Sequence, residues 1–148
     1  AGLPNGRSDE EYKNQLVKSV NELDLTNRVK FVGYVPDARM ADFFNSLDIA
    51  VFPYATSTAS GAAHLALAHG CAVLASDLPV FCELKNSYDC LETFSLSDAD
   101  DLETKLTWLL SSTTRRRELV AGCAQMMHNT SWSRIAEVTS QLYQSLLS

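Results

Sequence analysis

The run Pro53-Tyr54-Ala55-Thr56-Ser57-Thr58-Ala59-Ser60-Gly61-Ala62-Ala63 sets small and hydroxyl-bearing residues between an apolar strand-like stretch and a helix-like one. Side chains this small let a ligand reach backbone N–H groups. A helix start carries partial positive charge, so Gly61 at the head of the next helix makes a junction that suits a phosphate. An ordinary strand-to-helix loop has the same look, and the local residues leave both readings open. His64 lies one turn further on, near enough to the loop to face a ligand. A lone histidine is weak evidence for that, and the expected reading is a partly buried helix residue. No Ser-His-Asp or Cys-His nucleophile set is recognisable.

The remaining reactive side chains point to packing and surface. Cys71, Cys82, Cys90 and Cys123 form no Cys-x-x-Cys pair and have no histidine at metal-ligand spacing, so no metal is expected. Cys71 reads as a small core hydrophobe, and a reducing cytoplasm is the simplest setting. Arg115-Arg116-Arg117 opens a helix and is followed by Glu118, which reads as a solvated helix surface. A net charge of −6 argues against nucleic acid as a partner, because that binding needs a basic surface. No apolar stretch approaches the roughly 20 residues of a membrane span.

The elements that must hold the loop alternate. Helix patterns begin at Ser8 (apolar face Tyr12, Leu16, Val20, Leu23) and at Asp37, the expected cap (inner face Met40, Phe43, Phe44, Leu47). A third helix spans Ser60–His69, and a short one Cys82–Lys85. Another runs from the Asp98-Asp100-Asp101 cluster through Leu110, with Leu102, Leu106, Leu109 and Leu110 inward. Two more cover about 114–128 and 133–147. Strand patterns fall at Val29–Val32, Ile49–Phe52, Ala72–Ala75 and Cys90–Phe94. Trp108 and Trp132 read as packing anchors. The alternation predicts an α/β fold: a Rossmann-like, doubly wound parallel sheet of about four strands flanked by helices, in one domain over 1–148.

In this order the chain resembles a known family. Arg28-Val29-Lys30-Phe31-Val32-Gly33 is similar to its "rV-x-F-x-G" strand, and Leu47-Asp48-Ile49-Ala50-Val51-Phe52-Pro53 to its "aDv-x-v-x-P" strand. Ala68-His69-Gly70-Cys71-Ala72-Val73-Leu74-Ala75-Ser76 is similar to "A-x-G-x-P-V-v-a-S". The series resembles the C-terminal, donor-binding half of GT-B retaining glycosyltransferases of the group 1 type, many of which build cell-surface glycans. The resemblance implies a cytoplasmic part of a hexosyltransferase-like enzyme that moves a sugar from a nucleotide-sugar of UDP or GDP type without metal or other cofactor. The acceptor, a glycan or lipid-linked sugar, would sit in another domain. It also implies that a strand-helix-strand segment with a Gly-rich turn and an Arg/Lys pair precedes Ala1. On that reading the chain is a fragment, inactive alone and open to self-association.

The resemblance further implies a donor site made by the amides of Ser60, Gly61 and Ala62 and the hydroxyls of Thr58 and Ser60. Gly33 and Tyr34 would border the nucleotide base at the carboxyl edge of the sheet. The family's Glu-x7-Glu motif falls on Ser57 and Leu65, where neither residue is acidic. Ser60-Gly61 resembles a Ser-Gly version of the loop found in a subset of such proteins. Glu83, after the third strand and its turn, is either an acidic residue near the donor or a solvated helix residue. Two rivals remain: a noncatalytic nucleotide-binding or interaction domain with a decayed donor site, and an epimerase of the same architecture using His64 and Glu83.

Overall fold

The computed structural model describes residues 7–57 and 60–147, with backbone alone at 7–9. It divides into two compact units, one ending at Phe43 and one beginning at Phe44. In the first, α1 spans Arg7–Glu22, and a 3-10 turn, Asp37–Arg39, leads into α2, Met40–Asn45, which crosses the division. Asp37 is not the cap: Pro36 stands at the cap position and makes no side-chain bond. Tyr12, Leu16 and Leu23 are exposed.

The stretch Val29–Val32 is not a strand. Its residues form no ladder, and Val29, Phe31 and Val32 are exposed. A strand exists through its hydrogen-bonded neighbour, and none of the described residues pairs with this stretch. The sheet accordingly has three strands where four are expected.

All three lie in the second unit: β1 Ala50–Phe52, β2 Val73–Ser76 and β3 Glu92–Phe94, in the order β1-β2-β3 and parallel throughout. Ala50 pairs with Val73, and Leu74 with Glu92. Helices α3 (Gly61–Ala68) and α4 (Pro79–Tyr88) make the crossovers, and α4 is longer than the sequence pattern predicts. Helix α5 covers Ala99–Ser111, α6 Thr113–Asn129 and α7 Trp132–Leu146. The central strand β2 is buried along its whole length, which is why it reads as an unbroken apolar run. Ala72, Leu74 and Phe94 meet Leu109 of α5 and Leu119 of α6, with Ile49, Leu102 and Leu106 around them. The pleat turns Val73 and Ala75 to the other face, where they too are fully buried. Leu110, expected inward, is exposed, because Leu109 takes the core-facing position.

Helix ends follow the local chemistry. Asp98 accepts from the N–H groups of Asp100 and Asp101, and Ser112 and Ser131 cap α6 and α7 in the same way. At the end of α3, Gly70 (φ +67°) turns left-handed; Gly70 N–H bonds the Leu67 carbonyl and Cys71 N–H that of Ala66. The tryptophans are not anchors. Trp132 is 86% exposed, and Trp108 is exposed beneath the Lys105 ammonium, 5.9 Å from its ring centre.

The arginine run is solvated only at Arg117, and its first two members are drawn into contacts. The Arg115 side chain is only 15% exposed. It donates to Glu92 Oε1 from Nε (3.0 Å) and Nη2 (2.7 Å), to Asp89 Oδ2 (2.7 Å) and to Glu118 Oε2 (3.1 Å). Lys85 Nζ reaches the other oxygen of Glu92 at 2.6 Å. Arg116 donates to the carbonyls of Leu109 and Leu110 at the end of α5. The buried carboxylate of Glu92 draws the first cation in, and the free carbonyls of a helix end draw the second.

Cys71, Cys90 and Cys123 are buried and unpaired, while Cys82 is half-buried. Burial raises all three buried thiols, Cys90 to about 11 and Cys123 to about 12. Thiolate is the reactive form. An aromatic disulfide reagent at pH 8 should therefore titrate Cys82 alone in the native chain, and all four thiols in denaturant. Rapid reaction of more than one native thiol would contradict the packing.

Candidate functional site

The loop after β1 and the start of α3 enclose a cleft of about 340 Å3, lined by Tyr54, Thr56, Ser57, Ser60, Gly61 and Ala62. It opens at the carboxyl end of β1, the edge where ligands of open α/β sheets bind. Thr58, expected to add a hydroxyl, lies outside the described residues.

Ser60 is the N-cap of α3. Its backbone is extended, and its Oγ accepts from Ala63 N–H at 3.1 Å. His64 N–H bonds the Ser60 carbonyl. No described residue accepts from the N–H groups of Gly61 or Ala62. These are donors of a first helical turn, which carries partial positive charge, and both residues line the cleft.

Gly61 has no structural reason to be glycine. Its φ is not positive, and a Cβ built there meets nothing within 4 Å. The bare backbone leaves room in the cleft itself.

Tyr54, which the sequence does not single out, holds the loop in place. Its carbonyl accepts from Ser76 Oγ at 2.7 Å, at the end of β2. Its ring stacks on Phe81, 6.3 Å between centres, and lies tilted against Phe52 at 5.8 Å. Its hydroxyl accepts from Ser60 Oγ at 3.2 Å. The Ser60 hydroxyl is thus engaged on both sides.

The other expected residues spread out. His64 is exposed, not partly buried; it does not line the cleft. Its Nδ1 lies 2.9 Å from the Ser60 carbonyl. A carbonyl only accepts, so Nδ1 carries the proton in this contact. Glu83 is exposed on α4 and is not part of the cleft wall. Ser57 lines the cleft half-buried, and Leu65 is exposed. Gly33 (φ +70°) and Tyr34, which is exposed, lie in the first unit. No charged side chain lines the cleft, and no three His, Cys, Asp or Glu residues gather as a metal site among the described residues.

A second cleft, of about 350 Å3, opens at the amino ends of β1 and β2. Leu47, Asp48, His69, Cys71 and the first turns of α6 line it, and His69 stacks on Phe44. It lies at the opposite ends of the strands from the Ser60 loop.

The family model described as glycosyl transferases group 1 matches residues 5–112, well over half of the chain. The chain belongs to this family. A curated relative, the phosphatidyl-myo-inositol mannosyltransferase of Mycolicibacterium smegmatis, is 28% identical over 142 residues. The alignment covers 95% of this chain and 36% of the relative. Sucrose-phosphate synthase from Thermosynechococcus elongatus superposes with a TM-score of 0.80 at 24% identity, over 99% of this chain and 37% of that one. HepE of Anabaena, solved with UDP and glucose, gives 0.70 at 21% identity, over 98% of this chain and 38% of its own. The fold is the C-terminal, Rossmann-like domain of a GT-B glycosyltransferase. Among the described residues no helix is long and apolar enough to cross a membrane.

Proposed function

We propose that the chain is the donor-binding part of a glycosyltransferase. It holds a nucleotide-sugar of UDP or GDP type and presents the sugar to an acceptor glycan or lipid-linked sugar carried by a further domain. The observation that carries this reading is Gly61. A glycine that neither the backbone nor the packing of the described residues requires stands in the cleft wall, where its own N–H and that of Ala62 have no acceptor among the described residues, at the ligand-binding edge of the sheet. Family membership and the UDP and glucose bound by HepE support the same chemistry.

Breaking the sugar–phosphate bond builds negative charge on the leaving diphosphate. The Gly61 and Ala62 amides are fixed by the helix, so they meet that charge without reorganising, and this lowers the barrier. The absence of carboxylates at Ser57 and Leu65 leaves the sugar and ribose to other groups. That feature favours a second reading, a noncatalytic nucleotide-binding domain.

Calorimetric titration with UDP, GDP and ADP tests the reading. One nucleoside diphosphate should bind, and Gly61→Val should weaken it roughly tenfold by filling the approach to the amides. Its unfolding midpoint should change no more than for a surface substitution. No heat with any of the three would end the donor-site reading.

A further inference from the structure

We propose that Tyr54 is a phosphate-binding residue of this cleft, its phenol the last donor of a hydrogen-bond relay that starts at the α3 backbone. The inference rests on the donor-site reading. Ala63 N–H donates to Ser60 Oγ at 3.1 Å, and Ser60 Oγ–H donates to Tyr54 Oη at 3.2 Å. The Tyr54 hydroxyl therefore receives one bond and still holds its own proton. No described residue accepts that proton, and Tyr54 lines the cleft beside Gly61 and Ala62.

The direction of the chain decides its use. Ser60 Oγ spends its one proton on the phenol, so the phenol's own proton is the one this chain leaves for a ligand. Each bond polarises the next, which makes the terminal O–H a better partner for an anion than an isolated phenol. A donor of this kind favours the charged phosphates over neutral parts of a nucleotide. The ring is held by Phe52 and Phe81 and the backbone by Ser76, so the hydroxyl is positioned before any ligand arrives.

Tyr54→Phe keeps the ring contacts and the Ser76 tether and removes only the final O–H. In the chain as it stands, the better-binding of UDP and GDP should lose roughly five- to tenfold in affinity. The 31P resonances of the bound nucleotide at saturation should also shift relative to the unmodified chain. The unfolding midpoint should stay close to that of the unmodified chain. Unchanged affinity and unchanged 31P resonances, with Gly61→Val still weakening binding, would overturn the relay and leave the donor site standing. A lowered midpoint with unshifted 31P resonances would make Tyr54 a structural residue and also overturn it. Failure of the unmodified chain to bind either nucleotide would remove the donor site and the relay together.

Discussion

Arg115→Ala lowers the stability of the chain by about 3–5 kcal/mol, the scale for stripping one partner from a buried ion pair. Glu92 is 4% exposed and cannot turn to water when the guanidinium is gone. Lys85 remains on one oxygen, but the other loses two donors. Most surface arginines change stability by less than about 0.5 kcal/mol, so urea unfolding separates the two cases cleanly. Arg115→Lys should fall between, because an ammonium keeps the charge but not the fork that spans Glu92 and Asp89. A loss below 1 kcal/mol for Arg115→Ala would mean that solvent screens the clasp.

The same clasp sets an acid limit. Burial pushes the Glu92 carboxyl up, but Lys85 and Arg115 outweigh it and hold the group below its ordinary range. Arg115 lowers Asp89 as well. A carboxyl depressed in the folded state contributes fully above its unfolded pKa. That contribution fades as pH falls toward the folded value. Stability should therefore decline below about pH 4.3, the usual glutamate value, and the decline should be shallower in Glu92→Gln.

Gly122→Ala destabilises by about 2–3 kcal/mol, although alanine for glycine inside a helix would by itself stabilise by about 1 kcal/mol. The sign is set by α4. A Cβ at 122 would run into the Tyr88 carbonyl oxygen and lie 2.7 Å from that of Asp89. Both are backbone atoms, so the helices must separate. Arg115 lies two turns earlier on the same face of α6 and grips Asp89. Separation would therefore strain the ion pairs too. A thermal midpoint equal to or above that of the unmodified chain would show that α6 sits further from α4.

Much of the fold is legible in the residues because continuous apolar runs and cap residues act locally. Leu74 and its neighbours announce a strand covered on both faces, and Asp98 and Ser60 announce helix starts. Val29–Val32 misleads for the opposite reason: its residues favour a strand, but a strand needs a hydrogen-bonded neighbour, and none of the described residues supplies one. Trp108 and Trp132 mislead likewise, since an aromatic ring does not say what will cover it. Within the site, the small-residue loop and Gly61 stand out. Tyr54 does not, because its place depends on bonds to Ser60 and to Ser76, the latter 22 residues on. Glu92 offered a signal: a carboxylate in an apolar strand demands a cation, and Arg115 waited in a run that otherwise read as solvated.

Strand β1 carries one more implication. Among the described residues it is bonded only to β2, so its far side presents backbone donors and acceptors in a line, next to an exposed Val51. The sheet is extensible there. Its brevity limits the hazard: three residues offer an incoming segment few main-chain bonds, too few to hold a stray chain against its lost entropy. Stable growth on that side would need a segment bringing its own apolar face.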